Sequence, residues 1–198
     1  MLSNVFTLVL LTVSAIAAPV DTVQERATCA DVVVHYARGT TEAKPIGGVI
    51  GQTFKSTLAQ ALGSKTLSFQ GVDYAASIGG FLSGGDAKGS TTLANSVIAT
   101  ANDCPNAKIV MSGYSQGAQL VHNAAAKLSA TVQQRVSAVV VFGDPKSKSA
   151  LPATLEARRK TFCRDGDLIC TGSIVITAAH GAYAEDAPAA AAFVKARV

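Results

Sequence analysis

The chain has 198 residues, of which 48% are hydrophobic and 15% are charged, so it can bury a substantial core within one domain. Its formal net charge is +4, and the basic residues are scattered apart from a short cluster at residues 158–160 without interleaved aromatic side chains. We interpret this cluster as a solvated edge, and we expect no nucleic-acid partner.

The first 17 residues have the pattern of a secretory signal peptide. An apolar run over residues 5–16 is followed by Ala15-x-Ala17, which predicts cleavage after Ala17 or nearby. The run is too short to cross a bilayer, and no later segment has the length of a membrane span. No Lys or Arg precedes Arg26, and a buried N-terminal element is therefore the alternative. We expect a secreted protein with one mature domain over residues 18–198.

Apolar, β-branched segments alternate with segments of helical spacing along the mature chain. The predicted strands are residues 31–37, 66–72, 107–113, 137–143 and 160–163. Helical periodicity is seen in Ile46, Ile50, Phe54 and Leu58, and an Ala-rich helix is predicted near residues 186–197. This alternation predicts an α/β fold of three layers, with a parallel sheet and right-handed crossovers.

The segment GYSQG, residues 113–117, matches the G-x-S-x-G pattern of a nucleophile elbow. Ser115 lies two residues past the third predicted strand and directly before a predicted helix, which is the setting that an elbow requires. A side chain at Gly113 or Gly117 would collide where strand and helix approach each other. We predict that Ser115 is a nucleophile; a spectator serine in an ordinary tight turn is the alternative.

Four cysteines in a chain with a secretory leader favour two disulfides. We predict the strand order 2-1-3-4-5, in which the first and third strands are neighbours, and Cys29 and Cys104 precede these two strands. Cys163 and Cys170 lie at the opposite end of the sheet, so we predict the pairs Cys29–Cys104 and Cys163–Cys170. The spacings fit neither a C-x-x-C redox motif nor a zinc ligand set, and we expect no metal or other cofactor.

A serine nucleophile needs a base, and the chain contains three histidines. His35 lies inside the first predicted strand, where a packed core histidine is expected. His122 lies on the helix after Ser115, about 10 Å along its axis and directed away from the elbow. His180, in a loop between the last strand and the C-terminal helix, is therefore the predicted base; a surface histidine without a role is the alternative.

The carboxylate that orients the base should follow a strand between Ser115 and His180 in the chain. Asp144 follows the fourth strand and Asp167 the fifth, with Asp165 as a local rival. We predict Asp167, because a Cys163–Cys170 disulfide would fix its loop. Asp144 precedes a proline, which is typical of a turn.

An acyl-transfer site also needs donors for the oxyanion that forms during the reaction. The elbow supplies the backbone N–H of Gln116, the residue after the nucleophile. The second donor is expected from the loop over residues 37–48, where Thr40 offers both its N–H and its hydroxyl.

Several segments together resemble the cutinases, small secreted serine esterases of the α/β-hydrolase class that are mostly fungal. They are CADVVVHYARGTTE (29–42), CPNAKIVMSGYSQGAQL (104–120), VVVFGDP (139–145), FCRDGDLICTGS (162–173) and AAHGAYAEDA (178–187). The resemblance implies a lidless fold with a five-stranded parallel sheet. It also implies a triad of Ser115, Asp167 and His180, with Thr40 and Gln116 as oxyanion donors.

The chain departs from the family at two positions. Many cutinases carry Ser where this chain has Thr40, and a bulky apolar residue that lines the crevice often stands where this chain has Gly181. Removal of that wall would widen the site. The residues that we expect along the substrate crevice are Ile78, Phe81, Ile174 and Ile176, together with Gly181. For the four apolar side chains, ordinary core or loop packing is the alternative.

The resemblance implies a secreted enzyme that acts on esters. A cutinase would hydrolyse cutin-type polyesters and short-to-medium acyl esters through an acyl-enzyme intermediate. We expect a monomer that acts on an insoluble polyester or a small ester. Related acetylxylan esterases are an alternative, but they usually have more cysteines, and this chain has no tryptophan for sugar stacking. A noncatalytic module that binds lipid or plant surfaces is the second alternative.

Overall fold

The computed structural model describes residues 29–198 together with Met1. Apart from Met1, the predicted signal peptide lies outside the described residues. One parallel sheet has the strand order β2-β1-β3-β4-β5, as predicted. The strands are β1 (Val32–Ala37), β2 (Leu67–Gly71), β3 (Lys108–Tyr114), β4 (Val136–Phe142) and β5 (Arg159–Phe162). Each lies within one residue of its predicted bounds, and the α/β prediction is confirmed.

In the part of the chain that the structure describes, seven α-helices connect and flank these strands. They are α1 (Gly51–Leu62), α2 (Ile78–Leu82), α3 (Ala87–Asp103), α4 (Gln116–Ala125), α5 (Ala130–Arg135), α6 (Ala153–Glu156) and α7 (Ala187–Lys195). Three short 3₁₀-helices cover Leu168–Thr171, Ala178–Gly181 and Tyr183–Asp186. Within residues 29–198, the helices are all too short or too polar to cross a membrane.

The core has two layers, one on each face of the sheet. Successive residues of β4 point to opposite faces, so Val139 packs with Leu93 and Leu120 of α3 and α4 on one side. On the other side, Val140 packs with the cluster that contains Phe54 of α1 and residues of α7. The continuous apolar runs of β3 and β4 therefore serve both layers, as expected for a sheet buried on both faces.

The two predicted disulfides are present, Cys29–Cys104 at the start of β1 and β3 and Cys163–Cys170 after β5. The interpretation of residues 158–160 as a solvated edge is wrong for two of the three. Arg158 is half-buried and donates to the carbonyl of Val136, and Arg159 donates to the carbonyl of Ser149 at 2.9 Å. Long arginine side chains can bury their stems and satisfy backbone carbonyls, which a charge pattern alone does not reveal.

Candidate active site

Ser115 occupies a sharp turn between the last residue of β3 and the first residue of α4. Its backbone has φ 55° and ψ −120°, a conformation that residues other than glycine rarely adopt. The backbone N–H of Ser115 donates to the carbonyl of Phe142 at 2.9 Å, which ties the turn to β4. The sheet thus holds a strained residue in place, a feature that clusters at functional sites.

The two glycines of the motif allow the strand and helix to approach each other. A Cβ on Gly113 would lie 2.3 Å from the carbonyl oxygen of Gly117. A Cβ on Gly117 would lie 1.9 Å from the carbonyl oxygen of Ala37 in β1. Both contacts are with backbone atoms, so neither position accepts a side chain, as the sequence analysis predicts.

The structure brings together the three side chains that were predicted to form a triad. His180 Nε2 lies 3.0 Å from Ser115 Oγ, and His180 Nδ1 lies 2.8 Å from Asp167 Oδ2. All three residues are buried. In the neutral tautomer that this geometry favours, Nδ1–H donates to the carboxylate and Nε2 accepts the serine hydroxyl proton. Such an arrangement can activate a hydroxyl for attack on a carbonyl.

Asp167 is fixed by its own loop as well as by His180. Its Oδ1 accepts the backbone N–H of Ile169 at 3.0 Å, and the Cys163–Cys170 disulfide closes the same loop. Asp165, the local rival, is exposed and lies outside this network.

Two tyrosines that the sequence analysis did not identify complete the setting of His180. Tyr114 donates its hydroxyl proton to the His180 carbonyl at 2.8 Å, and the two rings are 5.0 Å apart between centroids. Tyr183 donates to Asp167 Oδ2 at 2.5 Å. Burial raises the pKa of both tyrosines above the usual value, so both hydroxyls remain donors at ordinary pH.

The other candidate base and acid bind each other instead of Ser115. His122 Nε2 lies 2.9 Å from Asp144 Oδ2, and both side chains are buried. Asp144 Oδ1 also accepts the backbone N–H of Lys146 at 2.8 Å, which is the turn expected at an Asp-Pro sequence.

The predicted oxyanion donors are joined by a side chain that sequence reasoning missed. The Gln116 side-chain amide donates to Thr40 Oγ1 and to the carbonyl of Ser77, each at 2.9 Å. Glu42 holds the loop of Thr40 by accepting the backbone N–H of Gly39 at 2.6 Å and that of Val49 at 2.9 Å. The loop, the elbow and the start of α2 are therefore mechanically connected.

A cavity of about 380 Å³ opens beside Ser115 and His180. Its other lining residues are Thr40, Ile78, Phe81, Leu82, Tyr114, Ile169, Ile174 and Ile176. Gly181, which we expected along the crevice, is exposed and is not part of this lining. A cavity of about 480 Å³ beside β5 is lined mainly by polar and charged residues and contains none of the triad. The apolar cavity with convergent polar groups is the better candidate for substrate binding.

Comparisons with known proteins agree with this geometry. Residues 28–198 match the family model described as Cutinase. The chain is 49% identical over 193 residues to "Cutinase CUT1" of Coprinopsis cinerea, covering 97% of this chain and 96% of that protein. It is 47% identical over 186 residues to the cutinase of Botryotinia fuckeliana, covering 94% and 92%.

Solved structures give the same result. The Trichoderma reesei cutinase in complex with a C11Y4 phosphonate inhibitor is 45% identical, with a TM-score of 0.80 over 84% of this chain and 75% of that chain. An acetylxylan esterase is 26% identical, with a TM-score of 0.69 over 86% of this chain and 99% of that chain. On the extent of the family match and the identity to its members, the chain belongs to the cutinase family.

Proposed function

We propose that this protein is a secreted serine esterase that hydrolyses cutin-type polyesters and short-to-medium acyl esters. Ser115 is the nucleophile, His180 the general base and acid, and Asp167 the carboxylate that orients the imidazole. The observation that carries the proposal is the line of hydrogen bonds from Asp167 through His180 to Ser115, which ends in an apolar cavity.

The reaction proceeds in two halves. Ser115 Oγ attacks the ester carbonyl while His180 Nε2 takes the hydroxyl proton, and the resulting imidazolium donates that proton to the departing alcohol. Water then attacks the acyl-enzyme, with His180 again removing a proton, and the carboxylic acid leaves as Ser115 regains its hydrogen. Asp167 keeps Nδ1 protonated and stabilises the charged imidazole in both halves.

The oxyanion is stabilised by the backbone N–H groups of Gln116 and Thr40 and by the Thr40 hydroxyl. Gln116 donates its side-chain amide proton to Thr40 Oγ1, so the hydroxyl proton of Thr40 is free to point into the cavity. The fixed position of these donors supports catalysis, because they need no reorganisation when charge develops.

The cavity wall supports an apolar acyl group as substrate. Several side chains at its rim are unusually exposed, including Ile78 at 62%, Ile174 at 68% and Ile176 at 73%. An exposed apolar rim around a catalytic cavity suits contact with a water-insoluble polyester better than contact with a hydrated polysaccharide. A monomer leaves this rim accessible, and the predicted leader over residues 1–17 supports secretion.

Ser115→Ala is the central test of this mechanism. Loss of the nucleophile should lower kcat on a soluble aryl ester by about 10⁴-fold or more and abolish labelling by an active-serine phosphonate. The thermal unfolding midpoint should stay close to that of the unmodified protein. Hydrolysis retained in this variant would overturn the assignment of Ser115.

Substrate class is tested by rates on aryl esters of increasing acyl length beside acetylated xylan and purified cutin. Activity confined to acetylated xylan would favour an acetylxylan esterase, and a wild-type protein that is never labelled would favour a binding module. The N-terminal sequence of the secreted protein tests cleavage near Ala17, and sedimentation equilibrium tests the monomer.

A further inference from the structure

We propose that Tyr183 is a positioning residue of the catalytic site, whose hydroxyl limits how strongly Asp167 holds the protonated His180. The inference rests on the proposed function and deepens it, since it assigns a fourth residue to the Ser115–His180–Asp167 network. Tyr183 does not contact the reacting atoms and acts through the carboxylate.

The hydroxyl of Tyr183 and the imidazole of His180 bind the same oxygen atom. Tyr183 donates to Asp167 Oδ2 at 2.5 Å, and His180 Nδ1–H donates to that Oδ2 at 2.8 Å. The backbone N–H of Arg164 donates to the Tyr183 oxygen at 3.2 Å. Because the Tyr183 oxygen accepts from Arg164, its own proton is directed at Asp167.

The hydroxyl is separable from the packing of the ring. Tyr183 is completely buried, and its ring packs edge-on against Phe142 at 6.1 Å and against His180 at 6.2 Å between centroids. A phenylalanine would retain these aromatic contacts and remove only the hydroxyl, which donates to Asp167 and accepts the backbone N–H of Arg164. The role of the hydroxyl can therefore be measured without emptying the core.

Tyr183 and His180 both donate to one carboxylate oxygen of Asp167, so each competes with the other for its negative charge. Burial, followed by the hydrogen bond to Asp167, raises the pKa of Tyr183 above the usual value, so its hydroxyl remains a neutral donor while the enzyme works. Its donation makes Asp167 a weaker acceptor for the imidazolium. His180 can then lose its proton at a lower pH than it would without the Tyr183 hydroxyl. The neutral imidazole is the form that removes a proton from Ser115.

The other polar groups around this network do not replace the Tyr183 hydroxyl. On the β3 side, Tyr114 donates to the His180 carbonyl rather than to Asp167. On the loop after β5, the Arg164 guanidinium pairs with Glu185 at 2.5 Å and with Asp186 at 3.1 Å. Apart from Asp167, the charged group that acts on Tyr183 is Asp186, whose negative charge also raises the pKa of Tyr183.

The test compares Tyr183→Phe with Tyr36→Phe in the pH profile of kcat/KM on a soluble short-chain aryl ester. Tyr36 is a suitable control because it is also completely buried, and its hydroxyl has no hydrogen-bond partner in the described part of the chain. Removal of the Tyr183 hydroxyl should move the acid limb to higher pH by about half a unit to one unit. Near the foot of that limb, the rate should fall by about three- to tenfold, whereas the alkaline plateau should change by less than about threefold. Tyr36→Phe should leave the limb in place.

A purely structural role of Tyr183 predicts a lower plateau with an unmoved acid limb, and that result would overturn the proposal. A pH profile identical to that of the wild type would also overturn it. If Tyr183→Phe does not fold, 3-fluorotyrosine incorporated in a Tyr114→Phe background provides a stronger donor at Tyr183. It should move the acid limb to lower pH, and an unmoved limb would again overturn the proposal. Failure of the proposed function is distinguishable, because the wild-type protein would then hydrolyse no ester at all.

Discussion

The chain contains two buried histidine–aspartate pairs of nearly equal geometry and different surroundings. His180 lies 2.8 Å from Asp167, and His122 lies 2.9 Å from Asp144. Only the first pair presents its second ring nitrogen to a serine on a strained turn, at the wall of an apolar cavity. A short bond between imidazole and carboxylate therefore does not identify a catalytic site; the group on the far side of the imidazole does.

Exchange of each carboxylate for its amide should separate the two pairs most strongly. Asp167→Asn should lower kcat/KM by about 10³- to 10⁴-fold, because the amide stabilises the wrong imidazole tautomer and cannot compensate the imidazolium charge. Asp144→Asn should keep activity within a few-fold and lower the free energy of unfolding by about 1–3 kcal/mol. Steady-state hydrolysis and urea unfolding measure the two effects. Comparable losses of activity in both variants would contradict the distinction between the pairs.

Gly143 connects the two regions, since it directly precedes Asp144 and lies where an added side chain would collide with His180. It has φ +53°, and a Cβ at this position would lie 2.8 Å from His180 Cε1 and 2.9 Å from Nδ1. Gly143→Ala should therefore displace the imidazole and lower kcat by about 10- to 100-fold, in addition to straining the backbone.

Gly63→Ala is the matched control for Gly143→Ala. Gly63 follows α1, has φ +65°, and has nothing within 4 Å of the added Cβ, so the substitution strains the backbone without a collision. It should lower stability and leave kcat unchanged. An equal loss of kcat in both variants would show that backbone strain, and not contact with His180, is responsible.

Local patterns predict the strands, the elbow and the choice between the histidines. The β-branched runs predict where the strands lie, and the rise of a helix places His122 too far from Ser115 to act as its base. Both predictions depend only on residues close together in the chain. The crevice candidates Ile78, Phe81, Ile174 and Ile176 lie along the cavity, but their contribution to substrate binding stays a prediction.

The supporting contacts are long-range and leave no local signature. The hydrogen bond from Tyr114 to His180 spans 66 residues and that from Gln116 to Thr40 spans 76. Only the fold brings such residues together, so neither the tyrosines nor the Gln116 side chain could be assigned from spacing. The same limitation explains why the charge pattern wrongly predicts a solvated Arg158, whose guanidinium donates to the carbonyl of Val136.

His35 extends the comparison to a buried imidazole without a carboxylate. Its Nε2 lies 3.0 Å from Thr100 Oγ1, and burial lowers the pKa of His35 to about 4. Below an ordinary pKa of about 6.5, the unfolded chain gains a proton that the folded chain does not take up until about pH 4. The free energy of unfolding should therefore be unaffected above that window and fall by about 3 kcal/mol across it as the pH decreases.

Urea unfolding of the wild type and of His35→Gln measures this contribution. The variant should lack the loss of stability between about pH 6.5 and pH 4 that His35 causes, because glutamine does not titrate. An identical pH dependence in both proteins would show that the folded chain accommodates a charged His35.

Gly181, adjacent to His180, should be the least sensitive position in the comparison and a counterpart to Gly143. It is exposed, and a Cβ there would meet nothing within 4 Å. Gly181→Ala should change kcat by less than about twofold and the free energy of unfolding by less than about 1 kcal/mol. Rates on short and long aryl esters should also keep their ratio, because Gly181 lies outside the cavity lining. A tenfold loss of kcat would contradict this expectation. It would mean that the backbone at Gly181 must move during proton transfer by His180, and that Gly143 and Gly181 both constrain the imidazole.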